Sequence, residues 1–260
     1  MAIGVIGLGN LGGSIVKGLI KSGYPPDQIY VYDQDESKHK AFMDMGAHPS
    51  VSSGALLFLT EVIFVCVKPS DFEKAARNFS FVEDSKALVS FVGGVKLESL
   101  TAKVHGKNVF RAMPNISSEV CESVIALTSP KTADANMKKK VIELLSKIGD
   151  VYEVEDSQID AFTSLSGSGV AFATELIKAF YEAGLLLGLS HDNAKKVAVK
   201  VFLGASKLLS QYDFEEISKR VTTPGGTTIE GLYVLEKTGV RGAIIEAIKA
   251  GAEKASKLTS

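Results

Sequence analysis

Ile3-Gly4-Val5-Ile6-Gly7-Leu8-Gly9-Asn10-Leu11-Gly12 opens with a short apolar, mostly β-branched run and passes straight into glycines spaced Gly-x-Gly-x-x-Gly. An amphipathic stretch over 11–22 follows and is closed by Gly23 and the Pro25-Pro26 breaker. The order is strand, tight turn, helix. Residues 29–32 form a second strand, and Asp33 stands at its end, about 20 positions beyond the glycines, as a dinucleotide fingerprint requires. Each glycine has a physical task. Gly7 permits the tight turn, Gly9 lets a pyrophosphate come up to the backbone, and Gly12 lets helix and strand pack closely. Amides at the helix start then hold the anion. The expected cofactor contacts here are Gly7, Leu8, Gly9, Asn10, Leu11 and Gly12. A carboxylate at Asp33 accepts the ribose hydroxyls of NADH and repels the 2′-phosphate of NADPH. It tilts the expectation to NADH, with Lys38 and Lys40 close by in sequence as opposing charges. An ordinary turn aspartate fits the same position.

Working outward, apolar runs of strand length recur at 62–67, 87–92, 108–112, 124–128 and 151–154. Helical patterns lie between them at 36–45, 51–59, 72–76, 97–104 and 137–148. Strands alternating with helices predict a mostly parallel sheet covered on both faces by right-handed crossovers. This is a Rossmann-type doubly wound α/β domain over 1–156. Ligands bind such sheets at the carboxyl ends of their strands. That edge is where Val67-Lys68-Pro69, Gly93-Gly94 and Ala112-Met113-Pro114-Asn115 fall. Lys68 suits either a ligand contact or a strand-end surface charge.

Past Asp156 the pattern changes, and 157–260 reads as all-α, with helices over 169–188, from Ser190 to about 209, and over 214–220, 227–238 and 240–258. The first two are apolar on more than one face, which fits burial against another subunit or an ordinary internal core. Ser166-Gly167-Ser168-Gly169 reads as a small-residue turn opening the long helix. Thr222-Thr223-Pro224-Gly225-Gly226-Thr227-Thr228 precedes another helix and sets hydroxyls beside helix-start amides, which suits a helix cap or a small carboxylate.

Composition narrows the class. The chain has 260 residues, 45% hydrophobic and 23% charged, with a formal net charge of -1, so nothing points to nucleic acid or an anionic membrane. The run Lys138-Lys139-Lys140 reads as a solvated helix face. Of the two cysteines, Cys66 lies in an apolar run and reads as a buried small hydrophobe. No spacing indicates a metal site or a disulfide framework. The amino terminus has no leader-like pattern and no apolar stretch is long enough to span a bilayer, so the expectation is a cytoplasmic protein. His39, His48, His105 and His191 fall in polar stretches and read as surface residues.

The turns at 7–12, 67–69, 112–115, 166–169 and 223–228 occur in the order seen in pyrroline-5-carboxylate reductases, and together they resemble that family over essentially the whole chain. The most specific is Thr223-Pro224-Gly225-Gly226-Thr227-Thr228, continued by Ile229-Glu230-Gly231-Leu232. The resemblance implies reduction of 1-pyrroline-5-carboxylate to L-proline with NADPH or NADH, the last step of proline synthesis. It also implies a C-terminal helical dimerisation domain, an interlocked homodimer, and larger rings of dimers. Carried over by motif, Thr223, Gly225, Gly226, Thr227 and Thr228 are expected to bind the substrate. Thr228 is expected to hydrogen-bond the ring nitrogen as the catalytic residue. Val67, Lys68, Pro69, Gly93 and Asn115 join the cofactor set, and no metal is implied. The chain departs from the family pattern at Ile116-Ser117, where threonine and proline are usual, and at Val170-Ala171-Phe172, where proline, alanine and tyrosine are usual. These departures keep open a related cyclic imine as substrate, or a silent dinucleotide-binding paralogue. A β-hydroxyacid dehydrogenase, with Lys178 on the long helix as its lysine, lacks the 223–228 signature.

Overall fold

The computed structural model describes residues 1–258 and divides into two compact units, Met1–Gly167 with Gly251 onward, and Ser168–Ala250. The first contains strands β1 (Ile3–Ile6), β2 (Ile29–Tyr32), β3 (His48–Pro49), β4 (Val62–Val65), β5 (Ala87–Ser90), β6 (Val109–Met113), β7 (Ser123–Thr128) and β8 (Gly149–Glu153). It also carries helices α1 (Asn10–Lys21), α2 (His39–Met43), α3 (Ser53–Leu59), α4 (Pro69–Ala76), α5 (Leu97–Lys103), α6 (Ala135–Leu145) and α7 (Ile159–Phe162). They build one eight-stranded sheet in the order β3-β2-β1-β4-β5-β6-β7-β8. β1 is central, pairs in parallel with β2 and β4, and is buried along its whole length, which is why it reads as an unbroken apolar run. Ile15, Val16 and Leu19 of α1 join Val141, Leu144 and Leu145 of α6 in the core on one face. Leu56, Phe72 and Leu100, from α3, α4 and α5, join the core on the other.

Several boundaries differ from expectation for physical reasons. β4 and β5 stop at Val65 and Ser90, not 67 and 92, because the register pairs Ile6 of β1 with Val65 and Val65 with Ser90, and the chain then turns along the ligand-facing edge. β3 has no apolar pattern of its own: it is a two-residue edge strand containing Pro49, and a sheet tolerates proline only at such a margin. β7 runs antiparallel to β6. Residues 114–122 are too few for a crossover, which needs about a dozen or more. β8 begins earlier than expected, at Gly149, where a β-carbon would lie 2.0 Å from the Ser123 carbonyl oxygen.

The Ser166–Gly169 segment is not a turn. Residues Thr163–Ser168 are π-helical and run from α7 into the next helix. Thr163 and Ser166 donate back to the carbonyls of Ile159 and Phe162 at 2.8 and 2.7 Å, and Asn115 Nδ2 donates to the Ser166 carbonyl at 3.0 Å. Small residues also allow Gly251 to sit against Ser164.

The second unit holds α8 (Gly169–Leu186), α9 (His191–Leu208), α10 (Phe214–Val221), α11 (Thr227–Lys237) and the first part of α12 (Val240–Leu258). Gly188 has φ +85° and lets the α8 terminus close, while Ser190 caps α9 by accepting the Asn193 amide at 3.3 Å. α8 and α9 pack through Gly184 against Ala194 and through Phe180 edge-on to Phe202 at 5.0 Å. Among the described residues of these two helices only Gly184, Ala194 and Ala198 are buried, and Leu186 and Leu187 are 89% and 83% exposed. An internal core is therefore not what their apolar faces serve.

Candidate active site

The sheet reverses direction of winding between β1 and β4, and open α/β sheets bind ligands at that point. A cleft lies there, lined by Gly7, Gly9, Asp33, Lys38, Val67 and Lys68, among others. Gly7 takes φ +96° and donates its amide to the Tyr32 carbonyl at 2.7 Å, tying the turn to the end of β2. A β-carbon on Gly12 would meet the Gly7 carbonyl oxygen at 1.9 Å, so helix and turn are in direct contact. Gly9 is different, because a β-carbon there would meet nothing within 4 Å. The first helical bond is Gly13 N–H to Gly9 C=O at 2.8 Å, so the Asn10, Leu11 and Gly12 amides have no intrahelical acceptor. An open approach over Gly9 and unengaged helix-start amides fit a pyrophosphate.

Asp33 is fixed rather than loosely placed. Its Oδ2 accepts the Leu8 amide at 2.7 Å and its Oδ1 accepts the Asp35 amide at 2.9 Å, while Lys38 Nζ lies 3.1 and 3.2 Å from the two oxygens. Partial burial pushes the carboxyl upward, but the Asp35 and Leu8 amides and Lys38 outweigh it and hold Asp33 below the usual carboxylate range. Lys38, not Lys40, lines the cleft. His39 is buried, which corrects its reading as a surface residue: its Nε2 lies 3.0 and 3.1 Å from the Asp33 amide and carbonyl, fastening the turn that follows β2. His48, His105 and His191 are exposed. Cys66 is only partly buried, past the end of β4, and lines the cleft, with desolvation pushing its thiol far up.

Ser53, Asp71 and Asn78 also line the cleft and were not singled out by sequence. They sit on helices and loops following β3 and β4, and no local pattern marks them. Pro69 is the first residue of α4, and Gly93 follows β5 with open space at its β-carbon position. Asn115 is buried and its side chain is engaged within the chain. Oδ1 accepts the Ser117 amide at 2.9 Å, and Nδ2 donates to Ser166. Ile116 is 53% exposed beside it.

In the helical unit, Gly225 has φ +69°, and Gly226 N–H donates to the Thr223 carbonyl at 2.9 Å. A β-carbon on Gly226 would come within 2.3 Å of Thr223 Oγ1, so the two glycines are what the turn demands. Glu230 N–H, at 3.5 Å from the Gly226 carbonyl, makes the first α11 bond, which leaves the Thr227, Thr228 and Ile229 amides without an intrahelical acceptor. Thr222 donates back to Ser218, whereas among the described residues the Thr223, Thr227 and Thr228 hydroxyls make no bond within the chain. Lys178 is engaged in surface ion pairs with Glu175 and Glu182, both at 3.9 Å. No group of three or more metal-ligating side chains occurs among the described residues, and no helix among them is long and apolar enough to cross a membrane.

A glycine turn and fixed carboxylate at the switch point of a doubly wound sheet, with an all-α unit after it, define the class: a nicotinamide-dinucleotide oxidoreductase. Residues 2–94 match the family model described as NADP oxidoreductase coenzyme F420-dependent, and residues 156–258 match the model for pyrroline-5-carboxylate reductase dimerisation. A pyrroline-5-carboxylate reductase from Aquifex aeolicus is 34% identical, covering 99% of this chain and 97% of its own length. One from Corynebacterium melassecola is 33% identical, covering 98% of each. The crystal structure of the Plasmodium falciparum pyrroline carboxylate reductase with NADP bound superposes with a TM-score of 0.90 at 25% identity, covering 100% of this chain and 98% of that one. The chain belongs to the pyrroline-5-carboxylate reductase family.

Proposed function

We propose that this enzyme reduces 1-pyrroline-5-carboxylate to L-proline, with the turn at 223–228 as its substrate cradle. The observation that carries the reading is the α11 start, where two glycines hold open a set of unengaged amides beside three threonine hydroxyls. A carboxylate suits the amides of Thr227 and Thr228 and the Thr223 hydroxyl. The reduced nicotinamide, when bound, supplies a hydride to the carbon of the C=N bond. As that bond's electron pair moves onto the ring nitrogen, the nitrogen takes a proton from solvent water, and the Thr228 hydroxyl orients the nitrogen by hydrogen bonding. Positioning and a fixed dipole do this work without a strong acid. Gly7 to Gly12, Asp33, Val67, Lys68, Pro69, Gly93 and Asn115 form the proposed cofactor set. Asn115 acts there by bracing the end of β6, and Asp33 inclines the site to NADH. In this reading 1–156 is the cofactor domain and 157–260 the substrate and dimerisation domain of a cytoplasmic homodimer or ring of dimers. The exposed apolar faces of α8 and α9 support the association.

Thr228→Ala should lower kcat with 1-pyrroline-5-carboxylate by roughly ten- to a hundredfold, the worth of one hydrogen bond to a developing charge, and Thr228→Ser should restore much of it. Dinucleotide binding without turnover in the wild type would replace this function with that of a silent paralogue. Ile116, exposed where the family usually has threonine, favours a second reading. A related cyclic imine turned over with higher kcat/KM in a ring-size panel would establish it. Asp33→Ser is expected to raise kcat/KM with NADPH relative to NADH by about tenfold. An unchanged ratio would remove Asp33 from cofactor choice.

A further inference from the structure

Resting on the cofactor reading above, we infer that Lys38 is a movable counter-ion that lets one cleft accept either dinucleotide: it neutralises Asp33 in the free protein and transfers to the 2′-phosphate when NADPH binds. The two partners of the pair are unequal. The Asp33 side chain is 13% exposed and anchored by two backbone amides, whereas Lys38 is 40% exposed. The carboxylate therefore stays and the ammonium moves.

The backbone that carries Lys38 is itself held in place. It ends a short 3-10 turn, Glu36–Lys38, capped by Asp35, whose Oδ1 accepts from the Ser37 amide and hydroxyl at 3.2 and 2.5 Å. The Lys38 amide donates to the Asp35 carbonyl at 3.1 Å, and buried His39 pins the next position to Asp33. Only the side chain is left to swing, from a fixed base at the rim of the cleft.

The charges explain why it would. A phosphomonoester carries roughly two negative charges at neutral pH. Against Asp33 alone it would be repelled, and the site would select a ribose diol. The other charged groups lining the cleft are Lys68 and Asp71, which offset one another. When Lys38 leaves, Asp33 keeps the Leu8 and Asp35 amides as donors, so the loss of the half-buried pair is offset by a charge-assisted bond from Lys38 to a dianion. With NADH there is no such partner, and Lys38 has no reason to leave Asp33.

The test is calorimetric titration of the full-length protein with NADH and with NADPH, without substrate, at low and high salt. Lys38→Met should weaken NADPH binding roughly tenfold or more, leave NADH within about twofold, and flatten the salt dependence of NADPH binding. Lys38→Arg should retain wild-type NADPH affinity. Equal changes for both dinucleotides, or none for either, would overturn the inference while leaving the cofactor site in place. A wild-type protein that binds neither would overturn the site and the inference together.

Discussion

Gly12→Ala is expected to cost this protein both dinucleotide affinity and stability, and Gly9→Ala the affinity alone. The two glycines belong to one turn but meet different surroundings. At Gly12 the new methyl would sit 1.9 Å from the Gly7 carbonyl oxygen and 3.1 Å from the Cys66 β-carbon, so α1 must move off the turn. Overpacking of this kind costs about 1–3 kcal/mol, and the displaced amides no longer converge on a phosphate. At Gly9 the methyl meets nothing within 4 Å and the fold is undisturbed, but it occupies the approach over which a pyrophosphate must come. NADH and NADPH affinity should fall at least roughly a hundredfold in both variants, about 3 kcal/mol. Only Gly12→Ala should lower the melting temperature. Calorimetric binding and scanning calorimetry on the two proteins read the contrast directly. Wild-type melting of Gly12→Ala, or wild-type affinity of Gly9→Ala, would contradict it.

The second large effect is at a buried ion pair that belongs to none of the motifs. Arg111 lies in the middle of β6 at 1% exposure, with Asp156 at 2.7 Å and Asp160 at 3.5 Å, and its Nε has no partner among the described residues. Asp156 also accepts the Leu97 amide at the start of α5 through both oxygens at 3.3 Å. Asp156→Ala removes the nearer carboxylate and leaves a guanidinium that cannot lose its proton or reach water. Breaking such a pair costs about 3–5 kcal/mol. Asp160 stays in place, so the lower end applies, a fall in melting temperature of roughly 6 to 12 °C. Arg111→Met should be milder, because it deletes the buried charge itself, and Asp156, 28% exposed, can hydrate. If Arg111→Met melts lower than Asp156→Ala, packing rather than charge is what Arg111 contributes.

Neither Arg111 nor Asp156 was legible in the sequence as a pair. Arg111 stands in a strand between Phe110 and Ala112, and its partners lie 45 and 49 positions away, past two further strands. The Asp33 position was legible, because the fingerprint counts residues along one βαβ unit. What Lys38 and His39 do there was not, because a 3-10 turn and a five-residue helix leave too short a pattern to aim side chains.

The sequence alone determined what depends on local steric need and on period. The glycines at 7, 9 and 12 mark a turn that tolerates little else, and β1 and β4 announce themselves because strands buried on both faces must be apolar throughout. The doubly wound order, the all-α half and the family follow from such features in their order. Tertiary structure decided what depends on distant segments meeting. It gave the antiparallel turn of β7, the π-helical passage into α8, the burial of His39, and Asn115 bracing Ser166. It also left the faces of α8 and α9 uncovered, a matter of what else packs on them rather than of their own pattern. A residue's backbone preference is written in its neighbours, but its burial and hydrogen-bond partners come from chain segments whose arrival no local pattern records.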